Sequence, residues 1–334
     1  MVQKGHYGFW WSFVSVTDGL SFNIEAFRDF DRSAIARALN LMEDRRPGRR
    51  ARAISLMDDV SKLPPIARVV GLTGPPGVGK SSIISRLIEQ YRSTNYRIGI
   101  VAVDPSNQDS GGALLGDRSR MELPVDAPVY VRSYAARDQL GGLSRDAFAA
   151  VFFLRHCCDL LFIETVGVGQ SELDVTVLAD TTVLVLQPLA GDMLQFLKSR
   201  VMDIPDVLVV NKADNEGLVQ TALSELAGAL TLKQHDPVEW VCPLLPVSAL
   251  TNENIDTVTR ALEAHHQYLL SSTVLDRIRI ERQVAWAVRE LVYEIGARGL
   301  EKLGGAGAVE SLWRRQPKHW SELRRLEALM PSNT

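Results

Sequence analysis

The chain has 334 residues, with 37 lysines and arginines against 40 aspartates and glutamates, so its formal net charge is -3. A content of 46% hydrophobic and 23% charged residues is typical of a globular protein, and the length predicts about two domains. A charge balance this close to neutral excludes whole-chain attraction to nucleic acid or to an anionic membrane. We therefore expect a small molecule or another protein as the ligand, with no nucleic acid and no membrane.

The cysteines and the N-terminal sequence indicate the cellular compartment in which we expect the protein. Cys157, Cys158 and Cys242 are too few for a disulfide framework and lack the paired spacing of a zinc site, so we expect a reducing cytoplasm. The N-terminal run "YGFWWSFVSV" is too short to span a bilayer, and no small-x-small cleavage pattern follows it. We expect an N-terminal extension here rather than a signal peptide.

Apolar spacing predicts helices followed by strands. Residues 31–57 show a helical pattern interrupted by the turn "RRPGRR", which predicts two small helices before the main domain. Continuous apolar runs then predict strands that are covered on both faces, with gaps long enough for crossover helices. The pattern predicts an α/β fold with a doubly wound, mainly parallel sheet. The predicted strands are 67–73, 97–104, 128–134, 158–166, 181–188, 206–214 and 243–250.

The C-terminal region is predicted to form a helical arm. No strand pattern occurs beyond residue 271, and an apolar stripe recurs at helical spacing. Such a stripe needs an apolar partner, which is either the sheet domain or a second copy of the chain, and we favour the second copy. The stripe consists of Val284, Val288, Leu291, Val292 and Ile295.

A phosphate-binding motif follows the first predicted strand. The segment "GLTGPPGVGKSS" satisfies G-x-x-x-x-G-K-[ST] and precedes an amphipathic helix from about Ser81, which is the context the motif requires. Its glycines let backbone amides converge on phosphate oxygens, Lys80 offsets the charge of the β and γ phosphates, and the Ser81 hydroxyl can coordinate Mg²⁺. The predicted phosphate site comprises Gly74, Pro75, Pro76, Gly77, Val78, Gly79, Lys80, Ser81 and Ser82.

A second motif, "NKAD" at 211–214, predicts the base. The Asp214 carboxylate can accept hydrogen bonds from guanine N1–H and the exocyclic amine, whereas adenine has no such donor pair, and this readout is worth about 1–3 kcal/mol. Asn211 would support the loop, the Lys212 stem would cover the ring, and "SAL" at 248–250 can offer an amide to guanine O6. We therefore expect GTP and GDP, bound by Asn211, Lys212, Asp214, Ser248, Ala249 and Leu250.

Together the motifs resemble one family over about residues 31–300. "GPPGVGKSS", "VAVDPS", "GGALLGDRSRM", "ETVGVGQSE", "AGDMLQ" and "VVNKAD" occur in the order typical of the methylmalonyl-CoA mutase-associated GTPases of the MeaB/ArgK type, P-loop GTPases of the SIMIBI class. The resemblance implies a homodimeric, Mg²⁺-dependent GTPase that is a chaperone for an adenosylcobalamin-dependent acyl-CoA mutase. It would gate cofactor loading and protect or reactivate the mutase. The implied organisation is an N-terminal extension and helices over 1–60, a P-loop GTPase domain over 61–270 and a dimerisation arm over 271–334.

The same resemblance assigns roles to individual residues. Lys80 and Ser81 become phosphate and magnesium groups, Asp104 and Asp117 become switch acids near the metal, and Glu164 becomes the acid of the second switch. The implied magnesium set is Ser81, Asp104, Asp117 and Glu164.

The chain departs from the family pattern in two segments. Its "AGDMLQFLKSR" replaces an acid and two glycines by Met193, Phe196 and Arg200, and its "ARDQLGG" carries Asp138 where a glycine is usual. The resemblance implies that the first segment relays the nucleotide state to the mutase. A related acyl-CoA mutase with a different substrate is therefore an alternative partner.

Hydrolysis is expected to be slow without a partner. Phosphoryl transfer depends mainly on positioning and charge neutralisation, and small GTPases often carry a water-orienting glutamine after the switch glycine. Here Val168 follows Gly167, and Gln170 could take that role only after a rearrangement. The catalytic candidates are Lys80, Asp104, Glu164, Gly167 and Gln170.

Three other functions compete with this prediction. A metallochaperone GTPase should carry a Cys/His cluster, but His265 and His266 form a lone pair that we expect to be solvated. The second alternative is a P-loop kinase, since the family's older description is an arginine or transport-protein kinase. A kinase would leave the "NKAD" motif without a function. A GTPase of the signal-recognition type should carry a Met-rich or basic RNA-binding segment, which the C-terminal region does not show.

Overall fold

A single parallel sheet organises the chain. The computed structural model describes residues 22–44, 46, 48–104, 128–135, 143–165, 175–188, 205–214, 216–231, 240–272 and 274–330. Within these residues the strands lie in the order β3-β2-β4-β1-β5-β6-β7, and every pairing is parallel. The predicted doubly wound α/β fold is therefore confirmed. The strands are β1 (Arg68–Thr73), β2 (Ile98–Asp104), β3 (Val129–Ala135), β4 (Leu160–Glu164), β5 (Thr181–Leu186), β6 (Val207–Val210) and β7 (Leu244–Pro246).

The helices cover the sheet and extend beyond it at both ends of the chain. Among the described residues, the two helices predicted within 31–57 are present before β1. A five-residue helix precedes them, in which Asn23 is the N-cap and accepts hydrogen bonds from the Glu25 and Ala26 amides. None of the described helices is long and apolar enough to cross a membrane. The helices are α1 (Ile24–Arg28), α2 (Arg32–Glu43), α3 (Arg49–Ser61), α4 (Lys80–Tyr91), α5 (Arg145–Leu154), α6 (Glu216–Thr231), α7 (Ile255–Ser271), α8 (Val274–Lys302), α9 (Gly305–Arg315) and α10 (Glu322–Glu327).

The central strands are buried on both faces, as their continuous apolar runs predict. Every residue of β4, β5 and β6 is buried. Alternate side chains of a strand point to opposite faces, so Leu161 joins a core that includes α5 and α8, whereas Phe162 joins the core beneath α4 and α7. These two cores therefore pack on opposite faces of the sheet.

The apolar stripe of α8 packs on this chain's own sheet domain. Trp286 is fully buried, with its ring centroid 5.0 Å from that of Phe152 on α5. Val284 and Leu291 are buried in the same cluster. The preference for a second copy as the partner of this stripe is therefore wrong for these residues, although Val292 remains 38% exposed.

The expectation of a solvated histidine pair is wrong for His265. Its side chain is only 2% exposed, because α7 crosses the starts of β5 and β6. The ring shares a 2.8 Å hydrogen bond with Thr181 Oγ1, and its Nε2 lies 3.4 Å from Asp206 Oδ1. Burial lowers the pKa of His265 to about 4, so the ring is neutral at pH 7 and has a structural place in the core.

Candidate nucleotide-binding site

The phosphate loop, residues 74–79, joins the carboxyl end of β1 to the start of α4. Gly74 has a φ of 136° and Gly79 a φ of 96°, which L side chains rarely adopt. Space demands glycine as well, because a Cβ on Gly74 would lie 2.0 Å from the Val185 carbonyl oxygen and a Cβ on Gly79 2.3 Å from Asn211 Nδ2. The glycines therefore let the loop pack directly against β5 and against the "NKAD" segment.

Lys80 lies inside this loop. Its side chain is 6% exposed, and Nζ donates to the carbonyl oxygens of Gly74 at 2.8 Å and Pro75 at 3.0 Å. Lys80 is also the first residue of α4, where helix amides and the helix dipole favour an anion. A positive charge and a helix N-terminus thus meet at one point, as phosphate binding requires.

Ser81 and Glu164 are brought together beside the loop. The pairing of β1 with β4 sets Leu72 opposite Glu164, and Ser81 Oγ donates to Glu164 Oε1 at 2.5 Å. A hydroxyl and a carboxylate fit Mg²⁺, which proteins usually hold through one or two carboxylates together with substrate phosphates. In the described ranges, no three His, Cys, Asp or Glu side chains form a separate metal cluster.

The other predicted switch and metal residues are only partly described. Asp104 is the last residue of β2. Ala102, two residues before it, pairs with Glu164 of β4, so the backbone of Asp104 lies at the same edge of the sheet as Glu164. The Asp104 side chain lies outside what the structure describes, as do Asp117, Gly167 and Gln170. Their roles remain predictions.

The "NKAD" segment is tied to the phosphate loop. Asn211 is 3% exposed, and its Nδ2 donates to the Val78 carbonyl oxygen at 2.7 Å while its Oδ1 accepts the Ala249 N–H at 3.0 Å. Lys212 Nζ donates to the Gly77 carbonyl oxygen at 2.9 Å, so its stem runs across the space beside the loop. The phosphate-binding and base-binding segments therefore form one connected site.

Asp214 lines a cavity of about 530 Å³ at this site. Its Oδ1 accepts a 3.1 Å hydrogen bond from Ser248 Oγ. The volume falls within the range of roughly 300–1,000 Å³ that is usual for ligand sites. All six predicted base residues line the cavity, together with Gly77, Gly79 and Ser82 of the predicted phosphate site.

Three further residues of α4 line the same cavity and were not predicted: Ser85, Arg86 and Glu89. Arg86 is directly connected to the predicted base-binding loop, residues 248–250, since its Nε donates to the Ala249 carbonyl oxygen at 2.9 Å. The phosphate motif ends before these positions, and no local pattern in the sequence links residue 86 to residue 249. Only the packing of α4 beside the base-binding loop reveals them.

Comparisons with known proteins agree with this geometry. A family model described as methylmalonyl Co-A mutase-associated GTPase MeaB matches residues 35–300. A protein of Pyrococcus horikoshii described as a GTPase is 38% identical over 276 residues, covering 80% of this chain and 86% of its own. The mitochondrial methylmalonic aciduria type A homolog of Mus musculus is 33% identical over 291 residues, covering 80% of this chain and 70% of its own.

A solved structure shows the same fold. The crystal structure of an LAO/AO transport system kinase covers 91% of this chain and 95% of its own, with a TM-score of 0.66 at 24% identity, which supports the shared fold alone. The family assignment rests instead on the family model, which spans well over half of the chain, and on relatives above 30% identity. The chain therefore belongs to the MeaB family of methylmalonyl-CoA mutase-associated GTPases.

Proposed function

We propose that this protein is a guanine-nucleotide switch that serves as the chaperone of an adenosylcobalamin-dependent acyl-CoA mutase, methylmalonyl-CoA mutase or a relative. It gates cofactor loading and protects or reactivates the mutase. The observation that carries the proposal is the bond between Ser81 of the phosphate loop and Glu164 of the family motif "ETVGVGQSE". This bond connects the nucleotide site to the end of β4, where that motif begins. The family description and the name of the mouse relative support the mutase as the partner.

The residues of the site suit phosphate recognition and signalling. Lys80 exchanges its bonds to two loop carbonyls for phosphate oxygens, which keeps its buried ammonium group hydrogen-bonded in both states. When bound, Mg²⁺ neutralises charge on the β and γ phosphates. Ser81 and Glu164 would hold it, and Glu164 is both the last residue of β4 and the first residue of the motif "ETVGVGQSE".

The isolated protein should hydrolyse GTP slowly and should be stimulated by its mutase, because Val168 replaces the usual water-orienting glutamine. We expect a rate well below roughly one turnover per second alone and an increase of about tenfold or more with the correct mutase. Phosphate release, measured with and without candidate mutases, tests this. Turnover of roughly one per second or faster, unaffected by any mutase, would contradict the proposal.

Two controls sharpen this assay. A Glu164→Gln protein should bind GTP but lose the stimulated hydrolysis, because the neutral amide supports metal binding poorly. A kinase would need a phosphate acceptor, so release of phosphate to water without an added acceptor separates the two activities. Co-purification of the mutase should differ between GDP and a non-hydrolysable GTP analogue.

We also propose that the chain forms a homodimer through its C-terminal arm. Tyr293 on α8 is 72% exposed and Leu312 on α9 is 40% exposed, although both are large apolar side chains. Burying such a side chain contributes about 1.5–3 kcal/mol, so Tyr293→Asp should weaken the dimer at least roughly tenfold. Light scattering should then show monomers. Leu270→Asp, at an exposed apolar position on α7 outside the arm, is the matched control and should leave the dimer intact.

A further inference from the structure

Arg86 bridges the phosphate-binding helix and the base-binding loop. It lies in the second turn of α4, and its Nε donates to the Ala249 carbonyl oxygen at 2.9 Å. Its Nη1 donates to Glu89 Oε2 at 3.1 Å, which fixes the direction of the guanidinium. The Arg86 side chain is 31% exposed and lines the nucleotide cavity. The contact therefore lies at the wall of this cavity and not deep in the core.

The Ala249 peptide is held from both sides. The Ala249 N–H already donates to Asn211 Oδ1 at 3.0 Å, so this amide is engaged within the protein. The Ala249 carbonyl and the Leu250 N–H belong to one planar trans peptide and point in opposite directions. Because Arg86 holds the carbonyl, it also sets the direction of the Leu250 N–H. Leu250 is 80% exposed and lines the cavity, so this peptide lies at the cavity wall.

We propose that Arg86 is a positioning residue for base specificity, which orients the Ala249–Leu250 peptide so that the Leu250 amide donates to O6 of guanine. Adenine carries an amino group at this position, and two donors would then face each other, which is unfavourable. The inference rests on the proposed guanine-nucleotide binding and assigns the readout of O6 to a peptide controlled from α4. Asp214 reads the opposite part of the base edge, so the two readouts can be tested separately.

Three nucleotides separate these readouts. GDP carries O6, N1–H and the exocyclic amine. IDP keeps O6 but lacks the exocyclic amine, whereas 6-thio-GDP keeps the amine and N1–H but replaces O6 by a weaker sulfur acceptor. Wild-type protein should discriminate against both analogues, against IDP through Asp214 and against 6-thio-GDP through the Leu250 amide.

In Arg86→Ala we expect GDP and IDP to bind about tenfold more weakly, the size of one lost hydrogen bond, while 6-thio-GDP changes much less. The ratio of GDP to 6-thio-GDP affinity should therefore fall, and the ratio of GDP to IDP affinity should stay constant. Arg86→Lys, which keeps one donor, should restore part of the lost discrimination. Equilibrium titration by calorimetry gives all three affinities.

Arg260→Ala is the matched control, because Arg260 is an exposed arginine paired with Asp256 on α7, and it should leave every affinity unchanged. Equal weakening of all three nucleotides in Arg86→Ala, or no weakening, would overturn the inference, as would a wild-type protein that binds GDP and 6-thio-GDP alike. Failure of the wild-type protein to bind GDP would instead overturn the proposed function.

Discussion

Replacement of Asp214 by asparagine should weaken GTP binding roughly ten- to a hundredfold and should shift the preference to xanthosine triphosphate. The carboxylate accepts from N1–H and from the exocyclic amine of guanine, which is worth about 1–3 kcal/mol. In Asp214→Asn, the new amide group donates, so it opposes the guanine amine but matches the oxygen that xanthine carries at that position. Competition between the two triphosphates for the purified variant measures the switch.

Asp214→Asn removes a negative charge as well as the contact with the base, so the effect of the charge on nucleotide affinity must be measured separately. Asp256→Asn is suitable as a control, because Asp256 is an exposed carboxylate on α7 that pairs only with Arg260 in the described part of the chain. It should bind both nucleotides like the wild-type protein. An unchanged GTP affinity in Asp214→Asn would remove Asp214 from the base site.

The parts of the site that sequence could predict are those encoded by local chemistry. The phosphate loop was recognisable because Gly74 and Gly79 have backbone angles that only glycine readily adopts, with Lys80 and Ser81 directly behind them. The strands were recognisable because a strand covered on both faces must be apolar throughout, as β5 is. In each case the physical constraint acts within a few consecutive residues.

The contacts that sequence could not predict connect distant segments. The bond of Arg86 to residue 249 and the burial of His265 against Thr181 depend on where α4 and α7 lie relative to the sheet. The α8 stripe shows the same limit, because helical periodicity predicts an apolar face but not its partner. Helix α5 provides that partner within this chain, where Phe152 contacts Trp286 of α8.

Arg279→Ala should destabilise the protein by about 3–5 kcal/mol, because it removes the guanidinium that is hydrogen-bonded to a buried carboxylate. Arg279 on α8 donates to both oxygens of Asp180, at 2.8 and 2.6 Å, and to the Ala67 carbonyl oxygen at 2.9 Å. Asp180 is 3% exposed and also accepts the Val69 N–H at 3.0 Å, so this pair joins the arm to the start of β1. Urea unfolding measures the loss of stability.

The pH dependence distinguishes an unpaired charge from lost packing. Burial alone would raise the pKa of Asp180, but its hydrogen bonds to the Arg279 guanidinium hold that pKa below the unfolded value of 3.8. In the wild-type protein this stability is therefore present above pH 3.8 and is lost as the pH falls through the folded pKa. In Arg279→Ala the folded pKa of Asp180 should rise above the unfolded value, so this variant loses stability as the pH rises.

The difference in unfolding free energy between wild-type and Arg279→Ala protein should therefore narrow as the pH falls from about 7 to about 4.5, since protonation removes the unpaired charge. Arg277→Ala on the same helix is the matched control. Arg277 is 66% exposed and lies 4.0 Å from Glu281, so its loss should cost less than about 1 kcal/mol at either pH. A cost for Arg279→Ala that does not change with pH would show that the arginine acts through packing, and that the charge of Asp180 does not hold the arm to the sheet.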